Sequence, residues 1–438
     1  MPIRYVARCL RLAIVLLVPA SAACAAPFAY IANASTNTVT VIDTASNTVT
    51  ATVVVGVQPI GVAVHPSGAR VYVANRTSNT VSVIDTATNS VAATIPTGSG
   101  ASGMAIGEGG AKAATANFNA NNVTLIDTAT NTVSATVAVG AGPFGIAFHP
   151  GLARAYVTNV NANTVSVVDT SANTVLATVP VGTGPNGVAV NPAGTRVYIS
   201  NARSNDLSVI DTATNTVVAT IPVGANPEGI GINPAGTRAA VANDFGSSVS
   251  IVDLTTNTVT ATVTVGNAPS GVAYTPSGAA IYVTNNGNNN VSVIDAATNA
   301  VVATVGVGNG PAGFGLFIGG PVAADFTGAW YNAAESGWGL SIVRGASGAY
   351  GVIMYHYDQA NHPTWYWMAG GSFSGNVYAA PVAIFAGPGF AAPTFDPSQV
   401  TATPSGTATI TFTSATSGTL RYTIGGATVT RPIAKLAF

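Results

Sequence analysis

The chain has little charge. Of its 438 residues, 14 are Lys or Arg and 15 are Asp or Glu, giving a formal net charge of -1. Arg4, Arg8 and Arg11 stand at the extreme N-terminus, so the remainder is mildly acidic. Such a balance disfavours the basic surface that nucleic acid requires. With 7% charged and 48% hydrophobic residues, the chain is also too apolar to remain disordered. Cysteine is nearly absent, and Cys9 and Cys24 both lie at the N-terminus. If that segment is removed, no intramolecular disulfide can form and packing alone supplies stability. Beyond it there is no uninterrupted apolar run of about 18 residues, the length a membrane-spanning helix needs.

The opening MPIRYVARCLRLAIVLLVPASAACAAP has a positive start, a short apolar run from Leu12 to Val18 and small residues suited to cleavage. Residues 1–25 therefore read as a secretory signal, and the product is expected to be exported to the periplasm, surface or medium of a bacterium. Ala23-Cys24-Ala25 fits a small-residue cleavage site, while Ser21-Ala22-Ala23-Cys24 resembles a lipoprotein box without its usual Leu. Cys24 is the lipidation candidate, and membrane attachment is expected only if it is used.

What the chain does have is a repeat. Asp recurs as Asp43, Asp85, Asp127, Asp169, Asp211, Asp253 and Asp295, always 42 residues apart. Asn stands ten residues before each Asp (Asn33 to Asn285) and four after it (Asn47 to Asn299). Gly falls thirteen after (Gly56 to Gly308) and eighteen after (Gly61 to Gly313), with a Pro between them in six of seven copies; Ala101 is the exception. The intervening segments are short and rich in Val, Ile, Thr, Ala and Tyr, which suits strands and not helices. Asp can accept a backbone N–H two residues on and Asn tolerates positive φ, so D-T-A-T-N-T is a hairpin connection. Four strands per unit, seven times over, imply a seven-bladed β-propeller. Segments such as TVVATV lack polar alternation, as expected of sheets sandwiched between neighbours. The chain enters at Phe28 in what matches a second strand, so Ala312 to Ile318 is expected to supply the missing first strand and remove exposed edges.

Tyr156-Val-Thr-Asn159 and Tyr282-Val-Thr-Asn285, with the variants YIAN, YVAN and YISN, resemble the YVTN-repeat family of β-propellers. The resemblance covers residues 28–320, and it implies an exported, periplasmic or surface-layer module used mainly for binding or structure.

Where the copies disagree, function is sought. Loops on one face, called upper below, vary most. There Arg76, Phe118, Phe144, Asn186, Arg203, Glu228, Asp244 and Phe245 are the ligand-binding candidates. Tyr becomes Ala114 and Ala240 in two copies, and only those carry a Phe just after the Asn, so Phe118 and Phe245 are expected to refill the space. His65 and His149 occupy a lower turn where other copies use Asn191, Asn233 and Thr275, which points to turn hydrogen bonding. Arg70, Lys112, Arg154, Arg196 and Arg238 share one lower position and are expected to keep that edge soluble.

The domains are expected to be a propeller over residues 27–320, a linker over 321–324 and an aromatic-rich antiparallel β domain over 325–438. All four Trp lie in this last part. FTGAWYNAAESGWGLSI, PTWYWM and RYTIGGATVTRPI resemble a domain appended to secreted bacterial proteins. Glu335, Trp338, His356 and Trp365 are its candidates, because a flat aromatic beside a carboxylate suits sugar or peptide. The closing strand should run from upper to lower face, so both attachments are expected below, with the variable face outward.

The sequence reads as an exported, non-catalytic binding or scaffold protein, monomeric, without cofactor or metal, engaging a protein, glycan or small ligand of the cell envelope. The alternative is a propeller enzyme of lactonase, lyase or redox type acting at the central opening. Against it, the inner strands GVAV, GMAI, GIAF, GVAV, GIGI, GVAY and GFGL offer no convergent acid, base or metal ligands.

Overall fold

The computed structural model describes residues 27–319 and, beyond them, nine strand segments between 328 and 435. Residues 1–26, where the signal and the Cys24 lipidation site are expected, lie outside the described residues. Contacts divide the chain into two compact units, with the boundary after Val322.

The first unit is seven antiparallel sheets, each one blade of the ring. Blade 2 is Pro59–Val64, Arg70–Asn75, Thr80–Asp85 and Ser90–Pro96. Blades 3 to 7 follow at the same spacing, ending in Pro269–Tyr274, Ala280–Asn285, Asn290–Asp295 and Val301–Gly306. The hairpin chemistry is as read from the sequence. Asp43 accepts the N–H groups of Ala45 at 2.8 Å and Ser46 at 3.1 Å, Asp295 does the same with Ala297 and Thr298, and Asn47 to Asn299 all have positive φ.

Two close approaches hold the blades. The Asn ten residues before each Asp is fully buried, and its amide donates within its own blade, as Asn159 does to Thr164 at 3.0 Å and Ser166 at 2.9 Å. The glycine of the preceding blade sits on that amide: a Cβ at Gly140 would lie 2.6 Å from Asn159 Cγ. Nearer the axis, Gly61, Gly103, Gly145, Gly187, Gly229 and Gly271 each face a carbonyl of the next inner strand, where a Cβ would come closer than 3.0 Å to the oxygen. At two joints a Thr or Ser of the second strand spans the gap. Thr158 Oγ1 accepts Gly145 N–H at 2.8 Å and donates to Asn186 O at 2.7 Å, and Ser200 links Gly187 N–H to Glu228 O in the same way, whereas Thr284 binds Gly271 within its own blade.

Lower staples add to this. His65 Nε2 lies 3.0 Å from Gly110 O and His149 Nε2 lies 2.8 Å from Gly194 O, both in the next blade, while Nδ1 of each accepts backbone N–H groups of its own turn. The basic position does more than solubilise. Lys112, Arg154 and Arg238 donate to the carbonyls of Thr170, Thr212 and Ala296 in the next blade, because their stems reach across the lower seam.

Three expectations need correction. The closing strand is not continuous. Pro311–Ala312 pairs with Asn33 and Ala32, and Ile318–Gly319 pairs with Ala29 and Phe28, but residues 313–316 swing toward blade 2, where Phe314 O accepts Val62 N–H at 3.1 Å and Leu316 O accepts Val64 N–H at 3.0 Å, before Phe317 O returns to accept Tyr30 N–H at 2.8 Å. Gly315 permits this, with φ 128° and no room for a Cβ against the Val62 and Met104 carbonyls. Second, the fourth strands are not sandwiched. They form the outer rim with mostly exposed residues, including Val54 and Val302, so closure covers inner edges and leaves outer ones.

Third, Phe118 and Phe245 do not replace the missing tyrosines. Tyr72 points to the lower end, where its hydroxyl donates to Asn131 of blade 3 at 2.7 Å, whereas both Phe residues follow the strand's upper end and Phe245 is 79% exposed. The ring is restored from the next blade's inner strand. Ala114 shares its core cluster with Phe148, and Ala240 shares its own with Tyr274. Both are aromatic where most other copies carry Val, Ile or Leu.

The second unit is a sheet of nine antiparallel strands. Pro363–Met368, at one end of the strand order, also pairs with Val377–Ala386, so eight strands close into a barrel with Ser372–Ser374 appended.

Two outcomes test this packing. Gly145→Ala should cost about 1–3 kcal/mol, the range for forced overpacking, while Gly151→Ala, with nothing within 4 Å, should be neutral in urea unfolding. Ala114→Tyr and Phe148→Val should each destabilise, and the double variant should recover about 0.5–3 kcal/mol of coupling.

Candidate functional site

The axis is interrupted. A waist void of about 20 Å³, lined by the glycine ring with Ile146, Val188, Ile230, Val272 and Phe314, holds one water at most. Above it lies an open pocket of about 300 Å³.

The upper pocket is built from two loop positions whose backbones are fixed and whose side chains differ. The residue before each ring glycine presents its carbonyl to the preceding blade, so Phe144, Asn186, Glu228 and Ser270 are pinned at the mouth by the same contact. Glu228 O also accepts the Ser200 hydroxyl. The residue after each buried Asn supplies Ala34, Asp244 and Asn286. Where they converge, Glu228 and Asp244 line one pocket with Phe144, Phe314 and Ser270.

Burial pushes the Glu228 carboxyl up to about 8, and the neighbouring Asp244 charge adds to the effect. Glu228 is therefore mainly protonated at neutral pH and can donate a hydrogen bond. Asp244 Oδ2 accepts the Asn226 amide at 2.8 Å, which fixes its orientation. Opposite, Phe144 meets Phe314 edge-on at 4.9 Å and Phe118 at 6.4 Å, and the Arg76 guanidinium lies 4.8 Å over the Phe118 ring. Burial holds Arg76 below its ordinary value.

Of the sequence candidates, Phe144, Glu228 and Asp244 line the pocket, and Phe118 and Arg76 buttress it. Asn186 faces the same ring, but its Oδ1 is buried without a partner among the described residues. Arg203 is exposed and lies over Gly184, and Phe245 projects into solvent; neither lines the pocket. Phe314, Gln58 and Ala34 were missed. The signal for Phe314 was available, since the closing segment places Phe where other inner strands carry Val, Met or Ile.

In the second unit, Glu335 lies outside the described residues. Trp338 and His356 are cross-strand partners, while Trp365 pairs with Tyr355, one step out of phase. Among the described residues no group of three or more His, Cys, Asp or Glu could hold a metal ion.

Fold and mouth together define a seven-bladed β-propeller with a pocketed upper face. A family model described as lactonase, 7-bladed beta-propeller, matches residues 109–267, from blade 3 to the end of blade 6. Among solved structures, hydrazine synthase of Kuenenia stuttgartiensis is similar at TM-score 0.57 and 24% identity, over 61% of this chain and 91% of that one. A functionally unknown protein of Desulfotomaculum acetoxidans is similar at TM-score 0.58 and 17% identity, over 65% of this chain and 98% of that one. Both are likenesses of fold. No curated protein matches the sequence.

The Glu228 carboxyl gives a pH test. Its folded pKa lies above its ordinary 4.5, so the folded state retains a proton that the unfolded state releases. Its contribution to stability is complete below about 4.5 and is lost as pH rises toward about 8. Glu228→Gln should flatten that decline in unfolding midpoints measured across the interval.

Proposed function

We propose that this is an exported, non-catalytic binding protein whose upper mouth takes a small, neutral, ring-shaped polar ligand of the sugar or lactone class. The observation that carries this reading is the protonated Glu228 beside Asp244 in a pocket of about 300 Å³ with a Phe144–Phe314 wall. A neutral carboxyl donates to a ligand oxygen, Asp244 accepts from a ligand hydroxyl, and the aromatic pair covers the apolar face of a ring. An anionic ligand would meet Asp244 in a lining without Lys or Arg among the described residues, while the Arg76 guanidinium is turned onto Phe118. Export rests on residues 1–25, and membrane attachment would follow only from lipidation of Cys24.

A second reading is favoured by the family match and the same carboxyl pair. In it Glu228 is a general acid toward the leaving ring oxygen of a lactone, and Asp244 draws a proton from the attacking water. Water adds across the ester bond and a hydroxy acid leaves.

Calorimetric titration with a panel of monosaccharides and γ- and δ-lactones tests both. Binding should weaken at least tenfold in Glu228→Ala and in Phe144→Ala, survive in Glu228→Gln, and weaken as pH rises past about 8, where Glu228 ionises. Affinity indifferent to Glu228→Ala and Phe144→Ala would sink the binding site. Steady acid release in a pH-stat, lost in Glu228→Gln, would replace binding by hydrolysis.

A further inference from the structure

Below the waist the axis opens again, into a cup of about 410 Å³ that no sequence candidate touches. Its wall is a single strand position read around the ring: Val64, Ile106, Phe148, Val190, Ile232 and Tyr274, with Leu316 of the closing segment completing it. Its floor is Met104, Ile146, Val188, Ile230 and Val272, the last four of which also line the waist. The cup is therefore blind.

We propose that this cup is a second ligand site, separate from the upper mouth, and that it takes a small neutral apolar molecule carrying one hydrogen-bond acceptor. The volume falls within the range of small-ligand sites, about 300–1,000 Å³. Among the described residues no Asp, Glu, Lys, Arg or His lines it, so an anion or cation would be desolvated without a partner. Apolar side chains at the wall and rim remain open: Val64, Ile106, Val190 and Ile232 are only partly buried, and Leu316 is 70% exposed. A ligand seated there would cover surface that is otherwise left to water.

The single acceptor is argued from Tyr274. Its side chain lines the cup and is 8% exposed, yet its hydroxyl makes no hydrogen bond to the described residues. Of the lower tyrosines at the blade seams, Tyr72 and Tyr282 donate to Asn131 and Asn47, while the Tyr156 hydroxyl is shut into its seam without a partner; only Tyr274 turns an unpartnered hydroxyl-bearing ring onto the cup. Tyr274 packs in the same core cluster as Ala240, and its hydroxyl is left as the donor for a guest. Burial pushes it up to about 12, so it stays protonated.

Fluorescence titration of the full chain with Nile red, a neutral apolar dye with a carbonyl, tests the site. One dye per chain with blue-shifted emission is expected. Ala189→Phe, which fills the cup, and Leu316→Glu, which charges its rim, should each weaken binding at least tenfold, with folding checked by circular dichroism. Tyr274→Phe should weaken Nile red severalfold and leave diphenylhexatriene, which has no acceptor, unchanged. Equal loss of both probes would refute the hydroxyl's role. Absence of stoichiometric binding, including through occupation of the cup by the chain beyond Gly319, would overturn the site, as would binding unchanged in Ala189→Phe and Leu316→Glu. The upper mouth plays no part in this readout, so the inference fails or stands independently of the function proposed above.

Discussion

The structure depends on how closely neighbouring inner strands can approach. At Gly61, Gly103, Gly145, Gly187, Gly229 and Gly271 a backbone carbonyl of the next blade occupies the place of a side chain. Seven blades can then converge on an axis narrow enough to be sealed by aliphatic side chains. A methyl group at any one position would push two blades apart, and the displacement would be shared by the whole closed ring. The second glycine series, packed on the buried Asn amides, maintains the same closeness farther out. Together they explain why no copy gains or loses a residue.

That rigidity gives the upper mouth its character. Each variable residue there follows a fixed backbone, so exchanging a side chain changes the chemistry of the pocket without moving its walls. Glu228 illustrates the point: its carbonyl belongs to the scaffold, bound to Ser200, while its carboxyl belongs to the pocket. The closing segment is the exception to the symmetry. By leaving blade 1 and binding blade 2 it contributes Phe314 above the waist and Leu316 below it, so one irregular stretch shapes both ends of the axis.

Much of the scaffold was legible in the residues. Asp and Asn at fixed spacing specify the hairpins because their roles are local, and local chemistry repeats with the sequence. The pocket was legible in part: Phe144, Glu228 and Asp244 stood out as differences among copies, but their convergence depends on ring curvature, which no single repeat encodes. Proximity in sequence to Ala114 and Ala240 does not make Phe118 and Phe245 their neighbours in space. The true partners, Phe148 and Tyr274, lie one blade on, a relation that only lateral packing between sheets creates. The swing of residues 313–316 was likewise hidden, since GFGL looks like its six counterparts until Gly315 adopts a conformation that the Ala found in most of them would resist.

The joint that completes blade 1 also sets an order of events. Asn33 is paired with Pro311 and Phe28 with Gly319, so the first strand to emerge during synthesis waits for nearly the last of the ring. Blades 2 to 7 are each continuous in sequence and can gather as they appear, whereas blade 1 keeps an open inner edge throughout. Completion of the ring is thus an event in time as well as a feature of topology, and a nascent chain becomes resistant to mispairing only at its final stroke.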